Sequence, residues 1–502
     1  MRRRNSHSST PYPSTYVRAP LLRNGFDCGE AVLDKSSFRV GVAGIVDTAF
    51  AFSLILVMVE DFSDALFVRY RRDAILLHRP YPPHAGPPTN SKFGGLPRLP
   101  TDYAWPRDAN NKPLHFLAQI DCADIKVPTP LPERGVLFFF GRDDDEQMWD
   151  ADNAPGNSTS VIYALNAFAL TPLRDHPADL APIGGTYFKA KAWQNLLLKD
   201  EVGPSVHVEW PIQPLQIDSW PDTLFDDPAN DNGQFDWLQA LRHRLLRKPQ
   251  PSWEDEQRRY DAYADRHQSL RAETFSRATG KTILPWDPTS DGRDVAQKLF
   301  EWADCGPEAF PYFWIQIEYA ARTFIGSFGD NTTHPIYSDK QLPAAAAWLD
   351  KAQAADGSAP VSDADKSSFR SWLMTLEKPR EGPPNPMPYA QCIFHAVRLN
   401  IRSWAGDPAL AAKIASFVYA EMEPHMSGNS VWGLQYSQML GHAPSAQEPL
   451  HPDDPTLCLL NLASDPVLGW MFGDVGNATF YISPDALSRF DFTQVQGEVV
   501  GH

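Results

Sequence analysis

Residues 117–121 read LAQID and residues 135–140 read GVLFFF; residues 459–463 read LLNLA and residues 476–482 read GNATFYI. Each pair is an apolar strand carrying one amide, then a turn, then a glycine-started strand with interspersed aromatics. Gln119 and Asn461 hold the amide position, Gly135 and Gly476 the glycine. The spacing nearly repeats, 16 positions in the first copy (135 − 119) and 15 in the second (476 − 461). Such a recurrence predicts two similar β-units that share one core.

Outward from the first copy, residues 91–106 read SKFGGLPRLPTDYAWP. Gly94 and Gly95 permit backbone angles that other residues avoid, while Pro97, Pro100 and Pro106 stiffen the path. Two roles suit this arm: a ligand rim with Trp105 as a stacking platform, or a rigid cover that closes the sheet. Segments 161–170 and 205–210 still read as strands. From about Phe235 the period turns helical, with Trp237, Leu238, Leu241, Leu245 and Leu246 on one face. Further helices are expected near 254–275, 293–303, 310–327, 344–355, 363–376, 390–404 and 408–422. Ser362 and the pair Asp407-Pro408 serve as start signals. The expected fold is therefore α+β: a mainly antiparallel β domain built from two similar repeats and interrupted by a large helical insertion. The boundaries are an N-terminal extension over 1–87, the first β part over 88–235, the helical insertion over 236–427 and the second β part over 428–502.

GGLPRLP (94–100), the Trp105-Pro106 pair, PLHFLAQID (113–121), GVLFFF, LGHAPSAQ (440–447), LLNLASD (459–465), GDVGNATFYI (473–482) and FDF (490–492) together resemble the YwqG-like family of bacterial proteins, a family of unknown function. The resemblance covers Ser91 to about Phe140 and Tyr436 to Phe492. It implies a β-rich fold with an internal duplication and carries no established catalytic residue. Some members resemble components of toxin–immunity neighbourhoods, which implies a protein partner. The second copy departs from the family pattern, with Asn461 where Gln is usual and Ala463 where Asp is usual.

At 502 residues the chain exceeds one ordinary core, and its 43% hydrophobic content suits a globular protein. A formal charge of −17 disfavours nucleic acid and anionic lipid as partners. The five cysteines, Cys28, Cys122, Cys305, Cys392 and Cys458, are dispersed without a CxxC pair, which fits a reducing, cytoplasmic setting. Residues 40–59 approach the ~20 apolar residues of a membrane span. Asp47 interrupts them, however, at an insertion cost of about 2.5 kcal/mol or more. A membrane role is disfavoured, and residues 1 to about 57 are expected to add nothing to the core, with Met58 an alternative start.

The chemistry-bearing motifs fail on inspection. The acidic run GRDDDEQMWDADN (141–153) places Ala154, Pro155 and Val161 where a calcium loop starting at Asp150 needs an oxygen ligand, glycine and glutamate. ATGKT (278–282) has Phe275 where a phosphate loop needs its first glycine. No hydrolase elbow or zinc motif occurs, so no cofactor and no metal are expected. The basic run LRHRLLRK (241–248) has leucines that make it an amphipathic face. What remains are polar residues on or beside the repeated strands and two tryptophans. Candidate binding residues are Trp105, Gln119, Asp121, Gln447, Trp470 and Asp474, with Gln438 beside them. They suit a non-catalytic binding or interaction protein that uses the two tryptophans as apolar anchors between the repeats. The competing reading is a hydrolase with Asp121 and Asp474 as paired carboxylates, and no catalytic residue is assigned.

Overall fold

The computed structural model describes residues 66–144, 158–184, 201–222, 253–281, 310–328, 340–376, 388–423, 429–430, 433–434, 436–443, 450–465, 467–473 and 476–500. Its strands, in chain order, are β1 (Arg72–His78), β2 (Lys92–Phe93), β3 (His115–Asp121), β4 (Val136–Gly141), β5 (Thr159–Ala164), β6 (Trp210–Pro211), β7 (Gln213–Ser219), β8 (Asn429–Ser430), β9 (Gly433–Leu434), β10 (Gln438–Leu440), β11 (Leu457–Ala463), β12 (Asn477–Ile482) and β13 (Gln496–Val500). The helices are α1 (Trp253–Thr279), α2 (Trp314–Phe328), α3 (Gln341–Gln353), α4 (Asp363–Met374), α5 (Pro388–Trp404), α6 (Pro408–Ala411), α7 (Ser416–Met422) and α8 (Pro484–Ser488).

The repeated motifs form β3–β4 and β11–β12, and each pair builds its own antiparallel sheet. Five strands run in the order β5-β4-β3-β2-β6 and six in the order β13-β12-β11-β10-β1-β7. The two orders match strand for strand, with β7 added at one edge. Register repeats as well: Gln119 faces Phe138 as Asn461 faces Thr479, and a bulge at the matching place follows Phe116 and Cys458. Lys92 pairs with Gln119 as Gln438 pairs with Asn461. Two consecutive left-handed residues then turn the chain, Gly94 (φ 55°) and Gly95 (φ 67°) in one copy, Leu440 (φ 60°) and Gly441 (φ 70°) in the other. Phe139 and Phe480 occupy matching positions and meet edge to face, centroids 5.3 Å apart. This is an α+β fold of two similar antiparallel units with a helical segment inserted between them.

One hydrophobic cluster runs through both sheets and the inserted helices. It joins Ile75, Leu117, Phe139 and Phe480 to Ile317 and Phe324 of α2 and to Ile393, Val397 and Ile401 of α5. The outer face of the five-stranded sheet is covered by the arm that carries Leu99 and Trp105, packed on Phe116, Phe138 and Phe140. On the other sheet, Ala74, Leu76 and Ile217 pack with Phe275 of α1.

Two expectations need correction. Strand β1 lies inside the stretch assigned to an N-terminal extension over 1–87, yet it sits between β10 and β7. Its residues point into cores on both faces, Ala74 and Leu76 to one, Ile75 and Leu77 to the other, so no polar alternation marks it. Strand β7 was not foreseen, because Pro211 just before it and Pro214 within it break the pattern. As an edge strand it tolerates Pro214. Residues 1–57, the candidate span 40–59 and the helices expected from Phe235 and over 293–303 lie outside the described residues. No helix among the described residues is long and apolar enough to cross a membrane.

Candidate functional site

The polar residues of the first repeat are consumed by architecture. Gln119 is fully buried; its Nε2 donates to the Asn90 carbonyl at 2.6 Å and to Asn90 Oδ1 at 3.1 Å, and its Oε1 accepts from the Arg98 amide at 3.0 Å. Asp121 caps the short helix at Cys122–Asp124 by accepting from Ala123 N–H, while its other oxygen accepts from Asn90 Nδ2 at 3.0 Å. Asp124 Oδ2 accepts from the Thr89 hydroxyl, the Ser91 hydroxyl and the amides of Asn90 and Ser91. The segment 89–91 is thereby pinned along β3, which satisfies backbone groups that flank the glycine turn.

The expectation that Trp105 and Trp470 stand at a rim is corrected by their burial. Trp105 donates its indole N–H to the Leu114 carbonyl at 2.9 Å and packs edge to face on Phe140. Trp470 is fully buried against Phe93, and its N–H goes to His207 Nδ1 at 3.1 Å. Both are core aromatics with a satisfied polar atom. Gln438 donates to the carbonyls of Leu440 (3.2 Å) and His442 (2.8 Å) and so holds the second left-handed turn. Gln447 and Asp474 lie outside the described residues. The structure therefore brings Gln119 and Asp121 together on Asn90, and brings neither to a tryptophan.

A different group of side chains gathers where α5 meets the turn after β11. Most of α5 is apolar and buried, but Gln391, His395, Arg398 and Arg402 follow one another at helical spacing along one stripe. Arg398 donates to His395 Nδ1 at 2.8 Å, which keeps that imidazole neutral; burial and then Arg398 lower its pKa to about 3. Arg79, which follows β1, lies 2.5 Å from Asp465, donates to the Tyr81 hydroxyl at 2.8 Å and stacks over Trp210. Asp465 also accepts from the amides of Val467 (2.8 Å) and Leu468 (3.3 Å), so its position is set by its own turn.

Electrostatics separate these arginines. Burial opposes the charge on Arg79, but Asp465 and Tyr81 hold its pKa above the ordinary value. Arg398 and Arg402 are lowered to about 10, by burial first; each also feels Asp465 in the opposite sense, and Arg398 is lowered further by Arg402. Gly469 admits the Arg402 guanidinium: its φ is +76°, and a Cβ there would lie 2.5 Å from Nη2. At the outer end of α5 the Tyr319 and Ser403 hydroxyls lie 2.5 Å apart, with Ser403 exposed. Three guanidiniums thus share the field of Asp465 at the meeting of β1, α5 and the 465–470 turn. Sequence reading missed this group, although a stripe of His395, Arg398 and Arg402 in an apolar helix was a legible signal.

Other polar clusters are self-contained. His207 stands 3.3 Å from Asp143, without hydrogen-bond alignment, and burial drives its pKa well below the ordinary value. A small cavity beside the second left-handed turn is lined by Arg72, Asp222, His442, His451, Asp454 and Tyr481, among others. No cluster of three or more His, Cys, Asp or Glu suited to a metal occurs among the described residues.

The family model described as Domain of unknown function (DUF1963) matches residues 91–324 and 355–499. The match spans most of the chain, including both repeats, α1, α2, α4 and α5, and the chain belongs to this family. No curated protein matches it.

Proposed function

We propose that the chain is a non-catalytic binding protein, of the bacterial and cytoplasmic YwqG-like kind that its motifs resemble. The partner is a protein or a small polar ligand, with a toxin-immunity-like role as the narrower form. The observation that carries this reading is the run of Arg398 and Arg402 along one stripe of α5, with Arg402 against Gly469 of the turn whose Asp465 pairs with Arg79. Guanidiniums stay protonated near neutrality, so they hold ligands rather than move protons. The competing hydrolase reading needs Asp121 as an acid or base, and the two oxygens of Asp121 already accept from Ala123 and Asn90.

Native mass spectrometry of the full chain purified from its own cell tests the proposal. A noncovalently bound species is expected on the wild-type protein and absent from Arg402→Ala. A bound species that is released chemically altered on incubation would replace the binding reading with an enzymatic one.

A further inference from the structure

We infer that the cavity beside the second left-handed turn takes the zwitterionic head of a free α-amino acid, its ammonium toward Asp222 and His442 and its carboxylate toward Arg72. This goes beyond the binding reading above, because the cavity lies at the start of β11 and the arginine stripe meets the turn after its end. Arg72 of β1, Cys458 of β11 and Tyr481 of β12 line it, with Asp222 after β7 and His442 after β10. Arg72 shares the outer face of Ala74 and Leu76, which α1 covers further along the sheet. The duplication marks the space as particular to the second repeat. Cys458 faces Tyr481 as Phe116 faces Phe140 in the first. There Leu99 and Trp105 seal the two phenylalanines, whereas Cys458 and Tyr481 wall a cavity.

The groups around this space keep hydrogen-bonding capacity of both signs. Arg72 donates through Nη2 to the Pro452 carbonyl and forms no ion pair among the described residues, which leaves Nε and Nη1 for a carboxylate. Asp222 Oδ1 lies 3.4 Å from His267 Nε2 and 3.7 Å from Arg271 Nη1, which leaves Oδ2 as an acceptor. His442, 8% exposed, donates its Nε2 proton to the Tyr70 carbonyl at 2.7 Å, so Nδ1 is an acceptor too. Burial first, then Arg72, keep that imidazole neutral, with a pKa of about 4. Arg72 and Asp222 thus present opposite charges to one cavity without pairing with each other. A lone anion meets Asp222 and Asp454 there, and a lone cation meets Arg72; a zwitterion satisfies both. The enclosed space is about 20 Å³, which fits a water-sized group such as an ammonium. Leu450, also on the wall, is 40% exposed, so the cavity opens toward solvent, where the rest of the ligand lies.

The test is equilibrium dialysis of the full chain, freed of small molecules, against a mixture of the common α-amino acids, with acetate and methylammonium as single-charge probes. One or more amino acids should be retained, and acetate and methylammonium should not. Asp222→Asn and Arg72→Gln should each weaken retention about tenfold or more. Should Arg72→Gln not fold, Arg72→Lys serves: it keeps the charge without the fork and should weaken retention by a smaller factor. Retention of no amino acid, which means that water alone fills the cavity, overturns the inference. So does equal retention by wild type and variants, or retention of either single-charge probe as strong as that of the amino acids. None of these substitutions touches the arginine stripe at the other end of β11, so the binding reading stands or falls on its own test.

Discussion

Gln119 and Asn461 differ by one methylene, and that methylene decides what each amide can reach. Gln119 satisfies its nitrogen twice on Asn90 and its oxygen once on Arg98. Asn461 receives the Thr479 hydroxyl at 2.9 Å, but its buried Nδ2 has no hydrogen-bond partner. Leaving a buried polar group unpaired costs ~1–3 kcal/mol. Gln119→Leu should therefore lower stability by roughly 2–4 kcal/mol, because the Asn90 carbonyl and the Arg98 amide both lose a partner. Asn461→Leu should cost no more than about 1 kcal/mol, since it also removes an orphaned donor. Denaturant melts of the two variants check the asymmetry; similar losses would mean that the two positions are not used differently. The sequence marked Gln119 as a structural or binding position and Asn461 only as its counterpart in the repeat, and it could not choose a role, since the partners on Asn90 and Thr479 are set by the packed sheets.

At the scale of elements, the turn after β2 depends on Gly95. Its φ is +67°, and a Cβ there would lie 2.0 Å from the Glu209 carboxylate, which is itself 2.6 Å from Lys92 Nζ. Gly95→Ala should lower stability by roughly 1–3 kcal/mol through backbone strain and displacement of that ion pair. A Tm equal to wild type would show that the pair relaxes freely. Helix α4 offers a milder case. Ser362 accepts from the Asp365 amide at its N-cap, so Ser362→Ala should cost about 1 kcal/mol. Elements of this second kind were legible: apolar spacing and cap residues marked α1 to α5 within a few residues, and Asp407-Pro408 does open α6. What was not legible needs distant partners. Strand β1 pairs with β10 more than 350 positions away, and its double-sided burial hides its period. Strand β7 hides behind Pro214 and the preceding Pro211. The site was less legible still, because Arg79, Arg398 and Asp465 come from three separate segments that only the packed fold brings together.

For the whole molecule, the decisive fact is that one core runs through both sheets and the inserted helices. Phe139 and Phe480 meet at the centre of the duplication. Phe139→Ala should cost roughly 3–5 kcal/mol and should lower the sheet and helix signals together in one transition. The same shared core makes acid a global denaturant. His78 of β1 and His442 after β10 are held near a pKa of about 4, and His395 of α5 near about 3, by burial first in each case. Lys281 and Arg79 act further on His78, Arg398 on His395 and Arg72 on His442. In the unfolded chain each imidazole titrates near its ordinary value of 6.5. Between that value and the folded ones, the unfolded state binds more protons. Stability is then fully present above about pH 6.5 and falls as the pH drops toward 4. Each imidazole that is protonated only in the unfolded chain contributes about 1.4 kcal/mol of that loss for every pH step of one. Thermal melts from pH 7 to pH 4.5 should show Tm decline along one cooperative transition, with far-UV and near-UV signals coincident. His442→Gln should flatten part of that decline, because glutamine can still donate to the Tyr70 carbonyl that His442 Nε2 holds at 2.7 Å. A Tm constant between pH 7 and pH 5 would mean that these imidazoles are not buried neutral in the folded protein.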